Sequence, residues 1–397
     1  MWFKILYFVF VILAYIFPTV PLVGPISIRH AVMVLMLLVC INKGVRWDKY
    51  MTLFSVFLFF FGISSIITGF AVPFVNKLVG TYLQAYVMFF ATYLLIKQYN
   101  GEVWLVNFFL MFGLLDAFVT IGQFYNMSFA QNIVDFLGID FEEEYLSKME
   151  RYDIMEGVAL QGLVGSVRNG YFLSAIAVLA LYNKKGKIAL YNWAIWMIVM
   201  VASLLEQERM GFYVAVLLSF VVIVSTFSVR MKKVGWFFSV VLVFAALLIL
   251  PLGMDMLQGS NLRYAKELNL GGERGTLAKI GWDYFKSSPM GAYFEYEAHG
   301  FPYPHNVFVN MFLVGGVFGG VAILIMFIGQ LKVLIKYLYQ SIHIRNLTLP
   351  FFWGLMFLAY TLNSLTHNAS IVFGTFEFFV FWNAMIALRA KEIIQEE

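Results

Sequence analysis

Apolar runs long enough to cross a bilayer recur along the whole chain, and they leave little choice of fold. A helix needs about 20 predominantly apolar residues to cross the hydrocarbon. Twelve such runs can be drawn, over 5–23, 26–42, 51–69, 78–97, 103–124, 166–183, 189–206, 210–228, 234–252, 305–331, 348–366 and 370–388. Backbone polar groups in hydrocarbon must be satisfied within the segment, so continuous apolar runs are helices. Barrel strands would alternate apolar and polar residues instead. With 61% hydrophobic and 13% charged residues, the composition lies outside that of soluble globular proteins. The expected fold is an all-α polytopic membrane protein of about twelve transmembrane helices, one integral membrane domain over 1–397. The first run, MWFKILYFVFVILAYIF, carries Lys4 and no small-residue cleavage site. It is therefore expected to stay as the first span; a signal-anchor is the alternative. Cys40 is the sole cysteine, which excludes an intrachain disulfide and a cysteine metal cluster.

Basic residues alternate with the runs. Lys43, Arg46 and Lys49 follow the second, Lys97 the fourth, and Lys184, Lys185 and Lys187 the sixth. Arg230, Lys232 and Lys233 follow the eighth, and Lys332, Lys336 and Arg345 the tenth. With Lys4, Arg389 and Lys391, they place both termini in the cytoplasm by the positive-inside rule. Two connections on the other face are long, 125–165 and 253–304, and long ordered loops in a compact bundle are usually functional or disordered. Together they hold 14 of the 23 acidic residues, eight from Asp135 to Glu156 and six from Asp255 to Glu297. No internal repeat is visible.

The chemistry-bearing residues cluster at this outer face. In SLLEQERMGF, Glu206, Glu208 and Arg209 stand within four positions between apolar helices. Charges at that depth face a cavity or a partner, or else form a Glu–Arg pair in a tight turn. In the second long connection, Leu277, Ile280, Gly281, Tyr284 and Phe285 fall on one helical face, and Lys279, Asp283 and Lys286 on another. Gly271 and Gly272 permit a sharp entry and Pro289 follows the end, so an amphipathic helix is expected near 273–287. Arg274 would stand in its first turn, where free N–H groups already favour an anion and a guanidinium fork suits phosphate oxygens. Contact of Arg274 and Lys279 with lipid headgroups is the alternative.

FPYPHN follows, with Asn306 or its neighbour as the cap of the next helix and His305 at the helix start. A helix N-terminus disfavours imidazolium, leaving a neutral ring able to act as general base toward a sugar hydroxyl; a merely capping histidine is the alternative. Glu295, Glu297 and His299 lie among Tyr293, Phe294, Tyr296, Phe301 and Tyr303, rings that suit sugar faces or an aromatic belt. The spacing of these His and Glu residues matches no helical metal-ligand motif, and neither metal nor cofactor is expected. Arg168 opens the sixth run as a further cation for an anionic headgroup. Asp116 and Glu377 lie within apolar runs, and His367 and Asn368 at the last outer turn.

With Arg209, Arg274 and PHN in view, the chain resembles the O-antigen polymerase and O-antigen ligase superfamily, bacterial membrane glycosyltransferases of the GT-C type. The most specific segment runs from Arg274 to Gly319: an Arg, Trp282, Ser-Pro-Met-Gly at 288–291, Pro304-His305-Asn306 and a glycine-rich helix. The segment EQERMG departs from relatives that carry small residues before the Arg, and Arg168-Asn169 stands where relatives often have Pro-Asn. The resemblance implies a GT-C-type bundle with a large periplasmic loop before span ten, in the bacterial inner membrane. It implies Arg209 and Arg274 on a lipid pyrophosphate, His305 as base, and no metal. Arg168, Glu208, Glu295, Glu297, Tyr303 and Asn306 are the expected substrate-binding residues. Expected partners are undecaprenyl-pyrophosphate-linked oligosaccharides, membrane lipids and a chain-length regulator protein, with no nucleic acid. The expected activity is polymerisation of repeat units. A ligase acting on lipid A-core uses the same donor chemistry, and a lipid-linked oligosaccharide transporter would show related halves and broken helices.

Overall fold

The computed structural model describes residues 2–12, 21–23, 26–44, 46–125, 127–136, 162–163, 166–183, 188–206, 209–230, 273–301, 304, 306–344, 347–365 and 376–396. The expected span over 234–252, and residues 137–161 and 253–272 of the long connections, lie outside them. The regular structure of the described residues is helical but for one small hairpin, β1 Pro21–Val23 against β2 Ile26–Ser27. This corrects the end of the expected first span. Pro21 lacks the N–H that a helix needs, and Pro21–Val23 pairs antiparallel with Ile26–Ser27 instead.

Among the described residues, three helical stretches are long and apolar enough to cross a membrane: α3 Lys49–Ile67, α6 Glu102–Phe124 and the stretch 307–341, which is broken at Gly316. Shorter apolar helices accompany them, and the chain is a helical membrane protein. Large apolar side chains stand exposed along the long helices, Ile67 at 70% and Met111 at 73%, as a lipid-facing surface requires.

The chain forms two compact units. The first holds α1 Trp2–Val11, α2 Ile28–Lys43, α3, α4 Ala71–Lys77 and α5 Leu83–Lys97, which a π-turn over Leu78–Tyr82 joins to α4. It also holds α11 Glu273–Ser287, α12 Tyr293–Ala298, the part of α13 Val307–Ile344 up to Val333, and α15 Phe376–Glu396. Its centre is a buried polar tie. Tyr7 Oη lies 2.7 Å from Thr92 Oγ1 and donates to Asn383 Oδ1 at 2.7 Å, joining α1, α5 and α15.

The two ends of this unit differ. At one, Phe3 stacks on Tyr99 with centroids 4.5 Å apart, and Gln98 donates to the Lys43 carbonyl. Arg389, buried, donates to Asp48 at 3.0 Å and to Glu392 at 3.1 Å, and Lys391 pairs with Glu102. The start of α1, the α2–α3 connection, the end of α5 and the end of α15 thus share a charged end. The opposite end is aromatic: Phe294 of α12 stacks on Phe61 of α3 at 5.5 Å and on Phe70 at 5.4 Å.

The second unit holds α6 from Val103, α7 Ser128–Phe136, α8 Ser166–Ala180, α9 Leu190–Leu205, α10 Arg209–Arg230, α13 from Leu334, and α14 Leu349–Asn363. Helices α8 and α10 cross where Gly170 meets Gly211; a Cβ on Gly211 would lie 2.7 Å from the Gly170 Cα, so only glycine permits the approach. Along α8, Tyr171 meets Tyr360 of α14 edge-on, and Asn363 donates to Ser174 at 2.9 Å.

The expected span over 305–331 needs a second correction. Helix α13 is two arms, because Gly316 has φ 63° and ψ -166°. Beyond it the chain folds back on itself: Phe312 packs on Gly320, and Phe308 lies 5.8 Å from Phe327, ring to ring. A straight helix would hold those two rings roughly 28 Å apart. Residues 307–315 form a short arm antiparallel to the long arm over 317–344.

Candidate functional site

The break at Gly316 is filled by the turn that follows α11. Val317 N donates to the Pro289 carbonyl at 2.9 Å, and Ala292 N donates to the Leu313 carbonyl at 2.8 Å. Ser64 Oγ of α3 donates to the Gly291 carbonyl at 2.7 Å. A Cβ on Gly316 would sit 2.5 Å from the Met290 carbonyl carbon, so backbone meets backbone here. Non-helical backbone inside an apolar bundle survives only where protein satisfies its polar groups, and the Pro289–Gly291 turn does so. The Ser-Pro-Met-Gly step and the glycine-rich run are two halves of one joint.

From this joint α11 and the short arm run side by side and parallel. Gly281 faces Pro304 and Val309, at 3.0 and 3.1 Å from a Cβ built there, and four residues on Phe285 packs on Phe312 at 5.4 Å. Arg274 is second in α11. It lies seven residues before Gly281 and therefore on the same helix face, roughly 10 Å nearer the helix start. Pro304 and Asn306 flank His305. Asn306 caps the short arm: its Oδ1 accepts from Phe308 N at 3.0 Å and Val309 N at 3.2 Å, while its Nδ2 donates to the Leu365 carbonyl. The two parallel helices therefore start on the same side. Val307 N, Phe308 N and Val309 N of the short arm are taken by the Ser364 carbonyl and the Asn306 side chain. It is therefore the first turn of α11, where helix N–H groups have no helical acceptor, that suits an anion. The short arm recesses this spot from the joint by roughly 13 Å.

His305, Tyr303 and Glu208 lie outside the described residues, as do His367 and Asn368. For Arg274, Arg209, Arg168 and Glu377 the helix position is described and the side chain is not. Glu295 is exposed in the first turn of α12. Glu297 accepts from Tyr293 Oη at 3.0 Å and lies 3.9 Å from Lys77 Nζ, which itself donates to Tyr293 Oη at 2.7 Å. Burial holds the Lys77 amine below its ordinary range, and the Glu297 carboxylate works in the opposite sense. Burial, with Tyr284 beside it, pushes the Tyr296 phenol up to about 12. Lys77 escaped the reading of the sequence. The signal was a lysine between the third and fourth runs, where the charge pattern expects few cations.

In the second unit, Arg168 and Arg209 stand in the first turns of α8 and α10, each two residues before a crossing glycine. Beneath them α6 presents Asp116, Thr120 and Gln123 on one face. Asp116 Oδ1 accepts from Leu163 N at 2.6 Å, Thr120 accepts from Asn169, and Gln123 accepts from Gly162 N. Glu206, just past the end of α9, is fully buried. The first unit thus contains the Arg274 helix and the Asn306 cap, and the second the Arg168 and Arg209 helices. Comparison with family models, with curated proteins and with solved structures finds no match.

Proposed function

We propose that the chain polymerises oligosaccharide repeat units linked to undecaprenyl pyrophosphate, at the outer face of a bacterial cytoplasmic membrane. The observation that carries this reading is the parallel pairing of α11 with the short arm, which sets the helix of Arg274 beside the Pro304–Asn306 step. In this reading the aromatic end of the first unit faces outward, the charged end and both termini face the cytoplasm, and about twelve spans cross the membrane in a GT-C-type bundle. The two helix starts then lie inside the bundle, roughly 13 Å from the outer joint toward the charged end, and the lipid diphosphate reaches them from the outer face. The resemblance of Arg274, Arg209 and the PHN step to the polymerase and ligase superfamily supports the same chemistry.

In the reaction, the bond between the anomeric carbon of the growing chain and the pyrophosphate oxygen breaks. A hydroxyl oxygen of the next lipid-linked unit bonds to that carbon and its proton passes to the His305 imidazole. Undecaprenyl pyrophosphate departs as a stable anion. Arg274 supplies fixed positive charge where negative charge grows, and the start of α11 adds N–H groups that need no reorganisation. Loss of one such group costs about 10²–10³ in rate. The test is polymer formation in a null strain carrying His305→Ala or Arg274→Ala at normal expression. The expected result is a core bearing single repeat units. Full-length polymer from either variant removes that residue from the mechanism, and bare core in the null strain points to a ligase.

One observation favours a second reading. A helix broken at Gly316, with a half-helix start recessed in the bundle, is a device of transporters. Proteoliposomes separate the two: elongation of lipid-linked units supports the enzyme, and translocation alone supports a transporter.

A further inference from the structure

One turn into the short arm, Asn310 is fully buried, and neither its Oδ1 nor its Nδ2 has a hydrogen-bond partner among the described residues. Ser364 is also buried, at 1% exposure, and its Oγ likewise lacks a partner among them. The two belong to one locality. Val307 N donates to the Ser364 carbonyl at 2.9 Å, and Asn310 follows Val307 by three positions, on the same helix face. Side chains on a helix lean toward its N-terminus, so the Asn310 amide leans back toward the turn capped by Asn306. A buried amide with both groups unmet destabilises the protein that contains it, and such groups are rare in folded chains.

We propose that Asn310, assisted by Ser364, is the sugar-reading element of this site, and that it binds two neighbouring hydroxyls of the pyranose next to the diphosphate. The chemistry selects this ligand. An amide offers a donor and an acceptor side by side and no charge. Adjacent ring hydroxyls offer the complementary acceptor and donor at a matching separation. A phosphate offers only acceptors and is better served by Arg274. This assignment rests on the reading of the site as one for a lipid-linked diphosphate sugar.

The experiment uses the full chain in nanodiscs with two probes, undecaprenyl pyrophosphate and the same lipid bearing one glucose. Wild type is expected to hold the glucosylated lipid at least about tenfold tighter, the scale of one or two hydrogen bonds to a buried polar site. Asn310→Ala should lose that preference while binding the bare lipid within about twofold of wild type. Ser364→Ala should lose part of it. Without lipid, Asn310→Ala should melt at or above the wild-type temperature, since it removes an unmet polar group. A lower melting temperature would mean that Asn310 has a structural partner, such as an internal water, and overturns the proposal. Unchanged preference in Asn310→Ala also overturns it, and leaves the diphosphate site standing if Arg274→Ala weakens both lipids. Wild type that binds neither lipid overturns the diphosphate reading and this inference together.

Discussion

At the scale of single residues, the sequence makes the capping role of Asn306 legible, because a cap follows from a short polar side chain ahead of an apolar run. It does not reveal Lys77, whose importance depends on Tyr293 and Glu297, more than 200 positions away in a chain of 397. Nor does it reveal Asn310, which reads as one polar residue in an apolar helix. The Lys77 side chain is 27% exposed and open to acylating reagents. Its reactivity should rise with a midpoint below the ordinary 10.5, because burial disfavours the charged form. Glu297→Gln should lower the midpoint further by removing the carboxylate that opposes burial. The stability sign follows from the unfolded chain binding the proton more readily. The penalty is present below the folded midpoint and is relieved as pH rises toward 10.5. A midpoint at or above 10.5 contradicts the burial of this amine.

At the scale of elements, α11 is legible from its amphipathic face, its glycine entry and Pro289 at its exit. The two arms of α13 are not, because VFVNMFLVGGVFGG reads as one smooth apolar helix. The break needs the Pro289 carbonyl to receive Val317 N, a pairing 28 positions apart that no local pattern encodes. Gly316→Ala tests the joint. Gly316 has a φ of +63°, and a Cβ there would press on the Met290 backbone. A side chain held in that region costs about 1–3 kcal/mol. The variant should melt lower and form little polymer, whereas wild-type melting would show that the fold-back is absent. The charged end offers another test. Arg389→Met strands Asp48. Breaking a buried pair in this way should cost about 3–5 kcal/mol, and adding Asp48→Asn should recover part of it. Thermal unfolding in detergent gives both values, and a loss under about 1 kcal/mol would show that the pair is open to water.

At the scale of the whole molecule, the membrane class is legible because a bilayer tolerates only satisfied backbones, and a continuous apolar run announces that condition. The hairpin at Pro21–Ser27 and the fold-back at Gly316 show where counting runs fails, since apolar length alone does not tell a span from a buried arm. Cys40 is buried, so single cysteines placed in a Cys40→Ala background can map sidedness with impermeant reagents. Labels near Lys43, Gln98 and Glu392 should react from the cytoplasm, and labels near Ser288 and Ala298 from outside; a mixture of sides at either end contradicts the orientation proposed. The most direct test of the central claim reconstitutes the purified chain in liposomes with undecaprenyl-pyrophosphate-linked repeat units and follows glycan length. Elongation by wild type is expected, with a loss of about 10²–10³ in rate for Arg274→Ala and for His305→Ala. Elongation at the wild-type rate by both variants, or no elongation by wild type, contradicts the claim.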